Sequence, residues 1–170
     1  MSDSRIIIIG FMASGKSTVA QALVSRLKSK MIDLDDEIVK ADGRSIRLIF
    51  EEDGEPSFRE IETRVLRGVL QNDGAQVIAL GGGAWTLQRN RDLIRECHGI
   101  SVWLDAPFNL CWQRILAAGY VRPLAQDKRE ARSLYALRRA AYQSADLHVQ
   151  ATRNKSADEL ALEITQALPR

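Results

Sequence analysis

The sequence predicts an α/β domain whose five-stranded, mostly parallel sheet is covered by helices on both faces. Five short apolar runs, the first of them Ile6–Ile9, are typical of buried strands. Segments with helical spacing separate these runs, and strands that alternate with helices indicate a parallel sheet. The chain has 170 residues, of which 45% are hydrophobic. It can therefore bury the core of a single domain spanning residues 1–170.

The elements follow one another along the whole chain. Strands are predicted over residues 6–9, 31–34, 77–80, 100–104 and 147–149. Helices are predicted from Lys16 to about residue 27 and over residues 35–41, 45–52, 56–71, 87–97, 106–117 and 133–144. Ser156 and Glu159 have the spacing of a capping box and begin a last helix. Residues 118–132 show little apolar periodicity, so they form either a surface loop or a mobile lid.

Composition limits the classes of partner. Twenty-four basic and 22 acidic residues give a net charge of +2, which does not favour binding to nucleic acid or to a membrane surface. Cys97 and Cys111 lack the spacing of metal ligands, and we expect reduced thiols, as in a cytoplasmic protein. No apolar run approaches the length of a membrane span.

A glycine-rich loop follows the first predicted strand. Gly10, Gly15, Lys16 and Ser17 satisfy the pattern GxxxxGK[ST] between a strand and a helix, which is the context that this motif requires. Backbone N–H groups of such a loop converge on phosphate oxygens at a helix N-terminus. The lysine reaches the outer phosphates, and the hydroxyl can bind Mg²⁺. The sequence therefore predicts a P-loop NTPase fold and a nucleoside triphosphate as ligand.

Two carboxylates end the second predicted strand. Asp33 and Asp35 would lie at the carboxyl edge of the sheet, where open α/β sheets bind ligands. One can serve a metal ion and the other can accept a proton from an attacking hydroxyl. For the adjacent Asp36 and Glu37, the simpler interpretation is favourable charge at a helix N-terminus.

Three glycines and three arginines complete the candidate residues. Gly81, Gly82 and Gly83 follow the third strand, where bare backbone lets a ligand approach closely, although a flexible loop has the same composition. Arg59, Arg122 and Arg138 singly read as solvated surface residues. Together their guanidinium groups suit a carboxylate or a phosphate.

In this order the motifs resemble those of the shikimate kinase family, over essentially the whole chain. The matching stretches are GFMASGKST, MIDLDDEI, GRSIRLIFEEDGEPSFREIE, LGGGA, VRPL and the late arginine helix. The resemblance implies a nucleoside monophosphate kinase-like fold with a lid over residues 118–132. It implies transfer of the ATP γ-phosphate to the 3-hydroxyl of shikimate, with Mg²⁺ as cofactor, by an enzyme that we expect to be a cytoplasmic monomer.

The resemblance also implies roles for individual residues. Asp35 would bind shikimate hydroxyls and assist as base, Lys16 and Arg122 would act on the phosphate, and Ser17 and Asp33 would hold Mg²⁺. The substrate pocket would contain Asp35, Phe58, Arg59, Gly81, Gly82, Gly83 and Arg138. ATP would contact Gly10, Ala13, Ser14, Gly15, Lys16, Ser17, Thr18, Arg114, Arg122 and Arg153, with Arg114 and Arg153 beside the adenine.

The chain departs from the family pattern in three places, one of them a lid that is one residue longer between Arg114 and Arg122. Ala13 stands where many members carry glycine, and Ala140 replaces a proline in the pattern Arg-x-Pro-x-Tyr, so that Arg139 could take the place of Arg138. Two other functions stay open at this point. One is a related small-molecule kinase, for example one acting on gluconate, and the other is a nucleotide-binding regulator without catalytic activity.

Overall fold

The computed structural model of the protein describes residues 5–72, 74–119 and 124–169. Five strands lie among helices, with one short 3₁₀ turn after the third strand. In chain order the elements are β1 (Ile6–Ile9), α1 (Lys16–Leu27), β2 (Met31–Asp33), α2 (Leu34–Asp42), α3 (Ile46–Gln71), β3 (Val77–Ala79), the 3₁₀ turn (Ala84–Thr86), α4 (Gln88–Glu96), β4 (Ile100–Asp105), α5 (Phe108–Ala118), α6 (Lys128–Tyr142), β5 (Leu147–Gln150) and α7 (Ala157–Ala167).

The five strands form one parallel sheet in the order β2-β3-β1-β4-β5. Asp33 pairs with Ala79 and Ile9 pairs with Trp103, so the carboxyl ends of neighbouring strands share one edge. From β1 the chain goes first to β2 and β3, which lie toward one edge of the sheet, and then to β4 and β5, which lie toward the opposite edge. A ligand site is expected where the direction of winding changes in this way, which is the end of β1. The predicted fold class is confirmed.

Strand β1 lies at the centre of the core. Each of its four isoleucines is at most 1% exposed, so both faces of the strand are covered, as a continuous β-branched run predicts. Helix α1 packs against β1, β3 and α7 and buries Val19, Ala20 and Leu23. Because β1 is packed on both faces, the start of the loop that follows it is held in a fixed position.

Helix α3 joins two helices that the sequence predicts separately. Gly54 has φ 79° and ψ 174° and interrupts the helix, and Pro56 follows at the start of the second part, where its missing N–H costs little. Across this break the rings of Phe50 and Phe58 lie 4.5 Å apart. The predicted boundary between residues 52 and 56 is confirmed by this break, which divides α3 into two helical parts.

Helix α6 begins at Lys128, whereas the sequence analysis placed its start at residue 133. The Asp127 side chain caps it by accepting from the Glu130 N–H at 2.8 Å, a capping signal that the dense charges of this stretch conceal. Residues 128–132 are therefore helical, and Ala118 ends α5. Residues 120–123 lie outside the described residues, so the lid stays a prediction. Within the described ranges, no helix is both long and apolar enough to cross a membrane.

Candidate active site

The loop between β1 and α1 adopts a conformation that requires glycine at two positions. Gly10 has φ +153° and Gly15 has φ +100°, in the region that side chains disfavour. A Cβ on Gly10 would also lie 2.8 Å from Ser14 Oγ and 2.9 Å from the Leu104 carbonyl oxygen. The backbone of the loop at Gly10 therefore packs closely against the end of β4. Gly15 leads directly into α1, so the helix N-terminus faces whatever this loop binds.

Ala13 occupies a strained position in the same loop. Its φ is +59°, the left-handed conformation that costs a residue with a Cβ about 1–2 kcal/mol. This is the position at which many members of the resembling family carry glycine. The chain therefore keeps the shape of the loop but retains local strain there.

Lys16 lies against the loop itself. Its ammonium group donates to the carbonyl oxygens of Gly10 at 3.0 Å and Phe11 at 2.9 Å. Ser14, also in the loop, is 2% exposed, and its hydroxyl has no hydrogen-bond partner among the residues that the structure describes. A phosphate bound in the loop would meet this lysine together with the backbone N–H groups.

Ser17 and Asp33 meet at the carboxyl edge of the sheet. The Ser17 hydroxyl donates to Asp33 Oδ2 at 2.6 Å, and Asp33 also caps α2 by accepting from the Asp35 N–H at 3.1 Å. A hydroxyl and a carboxylate are the hard oxygen ligands that suit Mg²⁺. The described residues contain no group of three or more His, Cys, Asp or Glu side chains that could hold a metal ion.

A second pocket opens beside the loop, with about 510 Å³ of empty space, part of it open to solvent. Side chains from α2, both parts of α3 and α6 surround the turn that follows β3. The lining residues are Met12, Asp35, Ile46, Phe50, Phe58, Arg59, Glu62, Gly81, Gly82, Gly83, Leu124 and Arg138. All seven residues predicted for the substrate pocket are therefore brought together.

Each of the three glycines leaves room for one charged side chain. A Cβ on Gly81 would lie 2.8 Å from Asp35 Oδ1, and one on Gly82 would lie 2.9 Å from Arg138 Nη1. On Gly83 the distance to Arg59 Nη2 would be 2.2 Å. The three charged side chains thus occupy space that a Cβ at each glycine would fill.

Glu62 is a pocket residue that the sequence analysis missed. It is 1% exposed and accepts from Arg59 Nη1 at 2.8 and 3.0 Å. Burial raises the pKa of the Glu62 carboxyl, although the neighbouring Arg59 opposes this shift. The i, i+3 spacing of Arg59 and Glu62 was a usable signal, but on a charged helix such a pair usually lies at the surface.

The two adjacent arginines of α6, Arg138 and Arg139, lie in different environments. Arg138 is 5% exposed and lines the pocket, whereas Arg139 binds Asp105, with Nη2 3.0 Å from Oδ2, and stacks on Trp103. In the part of the chain that the structure describes, no carboxylate lies within ion-pairing distance of Arg138. Burial lowers the pKa of its guanidinium. The pocket therefore holds a cation that a ligand carboxylate would stabilise.

Tyr142 supports both Arg138 and the glycine turn. Its hydroxyl donates to the Gly82 carbonyl oxygen, and its ring is 1% exposed. Trp85, just after the turn, donates from Nε1 to the Ala141 carbonyl oxygen at 3.1 Å. These bonds fix the turn to the end of α6, and Arg138 lines the pocket with Ala140 at the position where the family pattern has proline.

A separate cleft lies on the other side of the loop. Arg114 reaches it and donates to the Ala13 carbonyl oxygen at 3.1 Å. Thr152 and Lys155, which the sequence analysis did not select, also line the cleft. Arg153 instead hydrogen-bonds Gln113 and is not among the lining residues. Arg122 lies outside the described residues.

Comparisons with known proteins agree with this geometry. A shikimate kinase from Cereibacter sphaeroides is 37% identical over 96% of this chain and 81% of its own. A solved shikimate kinase from Acinetobacter baumannii, in complex with shikimate, superposes with a TM-score of 0.88 and 35% identity over 96% of this chain and 91% of its own. A gluconokinase from Sinorhizobium meliloti covers 95% of this chain and 89% of its own with a TM-score of 0.63, but at 16% identity this likeness shows the fold alone.

The likeness extends to the family as a whole. The description of the matching family is shikimate kinase, and the match spans residues 12–169, from the phosphate loop through α7. It therefore includes the acidic end of β2, the glycine turn and the helix of Arg138. The resemblance stated from the motifs is confirmed, and the chain belongs to the shikimate kinase family.

Proposed function

We propose that the protein transfers the γ-phosphoryl group of ATP to the 3-hydroxyl of shikimate, giving ADP and shikimate 3-phosphate. The observation that carries this proposal is the buried Arg138, which forms no ion pair with a carboxylate of the described residues, beside Arg59 in a pocket that also contains Asp35. Two guanidinium groups suit the planar carboxylate of the acceptor. A carboxylate in the same pocket suits its hydroxyls. The name of the A. baumannii relative, solved with shikimate, supports the choice of acceptor.

Asp35 is proposed as the residue that orients the acceptor hydroxyl and accepts its proton. The hydroxyl oxygen forms a bond to the γ-phosphorus while the bond from that phosphorus to the β–γ bridging oxygen breaks, and ADP leaves with the bonding electrons. Asp35 lies in the first turn of α2, next to the Ser17–Asp33 pair. Most of the acceleration in such transfers comes from positioning and charge stabilisation.

The phosphate loop is proposed to hold the nucleotide. Lys16 would exchange its bonds to the loop carbonyls for bonds to the outer phosphates, and Ser17 and Asp33 would hold Mg²⁺. The ion, when bound, would neutralise charge that develops on the phosphate oxygens. The adenosine would extend into the cleft lined by Arg114, Thr152 and Lys155; the role of Arg153 stays a prediction.

Arg122 and residues 118–132 are proposed as the lid. Closure would exclude water, which otherwise competes with shikimate as acceptor, and Arg122 would add positive charge at the transferred phosphate.

We further propose that the enzyme acts as a monomer in the cytoplasm. Size-exclusion chromatography with light scattering tests the monomer, and fractionation of the source cells tests the compartment.

The direct test is ADP release from Mg-ATP in the presence of shikimate. Gluconate and a nucleoside monophosphate serve as alternative acceptors at the same concentration, and a reaction without acceptor gives the rate of hydrolysis. We expect release that depends on shikimate and a product phosphorylated on the 3-hydroxyl by NMR.

Other outcomes would identify the other functions. Release only with gluconate would show a kinase of different specificity on the same fold. Binding of ATP with no release for any acceptor would favour the regulator. Either result would overturn the proposed reaction.

A further inference from the structure

One wall of the acceptor pocket is a short piece of helix between two glycines. Residues 46–53, here named the wall segment, lie between Gly43, with φ +85°, and Gly54, with φ +79°. Ile46 and Phe50 of this segment line the pocket. Eight residues are too few for a helix that is stable alone in water. The position of this wall therefore depends on the contacts that hold the segment.

Arg44 ties the C-terminal end of the wall segment to the end of α2. Its guanidinium donates to Asp42, the last residue of α2, at 2.6 and 3.1 Å. It also donates to Glu52 at 2.8 Å and to Asp53 at 2.6 Å, just before the break at Gly54. We name these four residues the Arg44 clamp. The clamp joins the end of α2 to the end of the wall segment.

The charges explain why a cation is needed at this point. Glu52 and Asp53 lie at the C-terminal end of the wall segment, where the helix dipole disfavours negative charge. Asp42 adds a third carboxylate, and its pKa is lowered chiefly by the hydrogen bonds from Arg44. Without Arg44, the three carboxylates would repel one another and push the segment away from α2.

We propose that Arg44 is a positioning residue for the acceptor site, which it does not contact. It fixes Ile46 and Phe50 relative to α2, the helix that also carries Asp35. The inference rests on the proposed function, because shikimate is the ligand whose binding reports it. Nucleotide binding uses residues on the other side of the loop, so Arg44 affects the acceptor and not ATP.

The test compares Arg44→Ala with a control on the same segment. Arg47 pairs with Glu51 at 2.7 Å, and its side chain is 77% exposed, so Arg47→Ala removes an ion pair without opening the clamp. Calorimetric titration with shikimate in the absence of nucleotide gives Kd for each variant, and titration with a non-hydrolysable Mg-ATP analogue gives the second Kd. Thermal unfolding reports whether each variant is folded.

We expect Arg44→Ala to raise the Kd and KM for shikimate roughly five- to tenfold, the range for losing several partly exposed ion pairs. Arg47→Ala should change them less than about twofold on the same basis. Arg44→Lys, a point charge that cannot reach three carboxylates at once, should recover part of the loss. The Asp53→Asn change should weaken binding less in the Arg44→Ala background than alone.

Three results would overturn the inference. They are an unchanged shikimate Kd in folded Arg44→Ala, an equal loss in Arg47→Ala, or an equal loss of affinity for the ATP analogue. If the unaltered protein does not bind shikimate, the proposed function fails instead, so the two failures are distinguishable.

Discussion

The phosphate loop and the acceptor pocket lie side by side but are built in different ways. The loop is one continuous stretch, and its shape comes from backbone conformation at Gly10, Ala13 and Gly15. The pocket is assembled from α2, α3, the turn after β3 and α6, and its shape comes from charged side chains. The first site is thus specified locally, while the second depends on the packing of distant segments.

This difference separates the effects expected from substitutions. A change in the pocket should alter acceptor binding or transfer and leave nucleotide binding intact. A change in loop conformation should mainly alter the free energy of unfolding. The four tests below use this separation, and each is paired with a control substitution at a second residue.

Replacing the proposed base gives the largest expected effect. Asp35→Asn keeps the size of the side chain but removes the proton acceptor, so kcat should fall about 10²- to 10⁴-fold, while affinity for a Mg-ATP analogue stays unchanged. Steady-state kinetics and calorimetry measure both. Asp36→Asn, at an exposed neighbour, should be nearly neutral. Turnover close to normal in Asp35→Asn would remove it from the reaction.

A methyl group in the glycine turn should disrupt the pocket from within. Gly83 has ordinary helical angles, so Gly83→Ala costs no backbone strain, but its Cβ would lie 2.2 Å from Arg59 Nη2. Displacing Arg59 should raise the KM for shikimate about 10- to 100-fold, as for overpacking of 1–3 kcal/mol. In Gly68→Ala the new Cβ has no neighbour within 4 Å, and kinetics should not change. Unaltered KM in Gly83→Ala would show that the turn adapts.

Conservative changes in α6 test which arginine faces the acceptor. Arg138→Lys replaces a planar fork by a point charge in a buried site, and KM for shikimate should rise roughly tenfold. Arg139→Lys, which still allows an ion pair with Asp105, should change KM less than about twofold. The reverse ranking would assign the carboxylate to Arg139.

Relief of strain in the loop gives the smallest effect. Ala13→Gly removes the strain of a left-handed alanine, which costs about 1–2 kcal/mol. Glycine loses more backbone entropy on folding, which costs about 0.5–1 kcal/mol and offsets part of this gain. The free energy of unfolding in urea should therefore rise by roughly 0.5 kcal/mol. Ala22→Gly, within α1, should lower it by about 0.5–1 kcal/mol. A loss of stability in Ala13→Gly would contradict the strain at this position.

The sequence predicted best what is local or follows from sheet topology. The phosphate loop needs only nine consecutive residues, and the meeting of Ser17 with Asp33 follows because carboxyl ends of parallel strands share an edge. The choice between Arg138 and Arg139 could not be made in this way. Neighbours on a helix point about 100° apart, and only packing decides which one faces inward. The helical spacing of Ala131, Arg138 and Tyr142 places them on one face, but only the structure shows that this face is the buried one.

Charged residues of the two pockets that belong to no motif were harder to predict. Glu62 reads as one more exposed acid on a charged helix, because its burial depends on Arg59 and on the glycine turn that lies far away in sequence. Lys155 in the nucleotide cleft follows β5 in a stretch without a motif. Both residues become visible only once the tertiary structure brings separate elements together.

The break at Gly54 has a consequence for how this pocket could diversify. In an unbroken helix, residues 50 and 58 would lie about 12 Å apart along the axis, too far for the ring contact of 4.5 Å between Phe50 and Phe58. The break at Gly54 therefore makes residues 46–53 a unit that can vary independently of the second part of α3, which carries Arg59. Mutation or design could resize the aromatic wall within residues 46–53 and select new acceptors, while Arg59 and the phosphate loop stay unchanged.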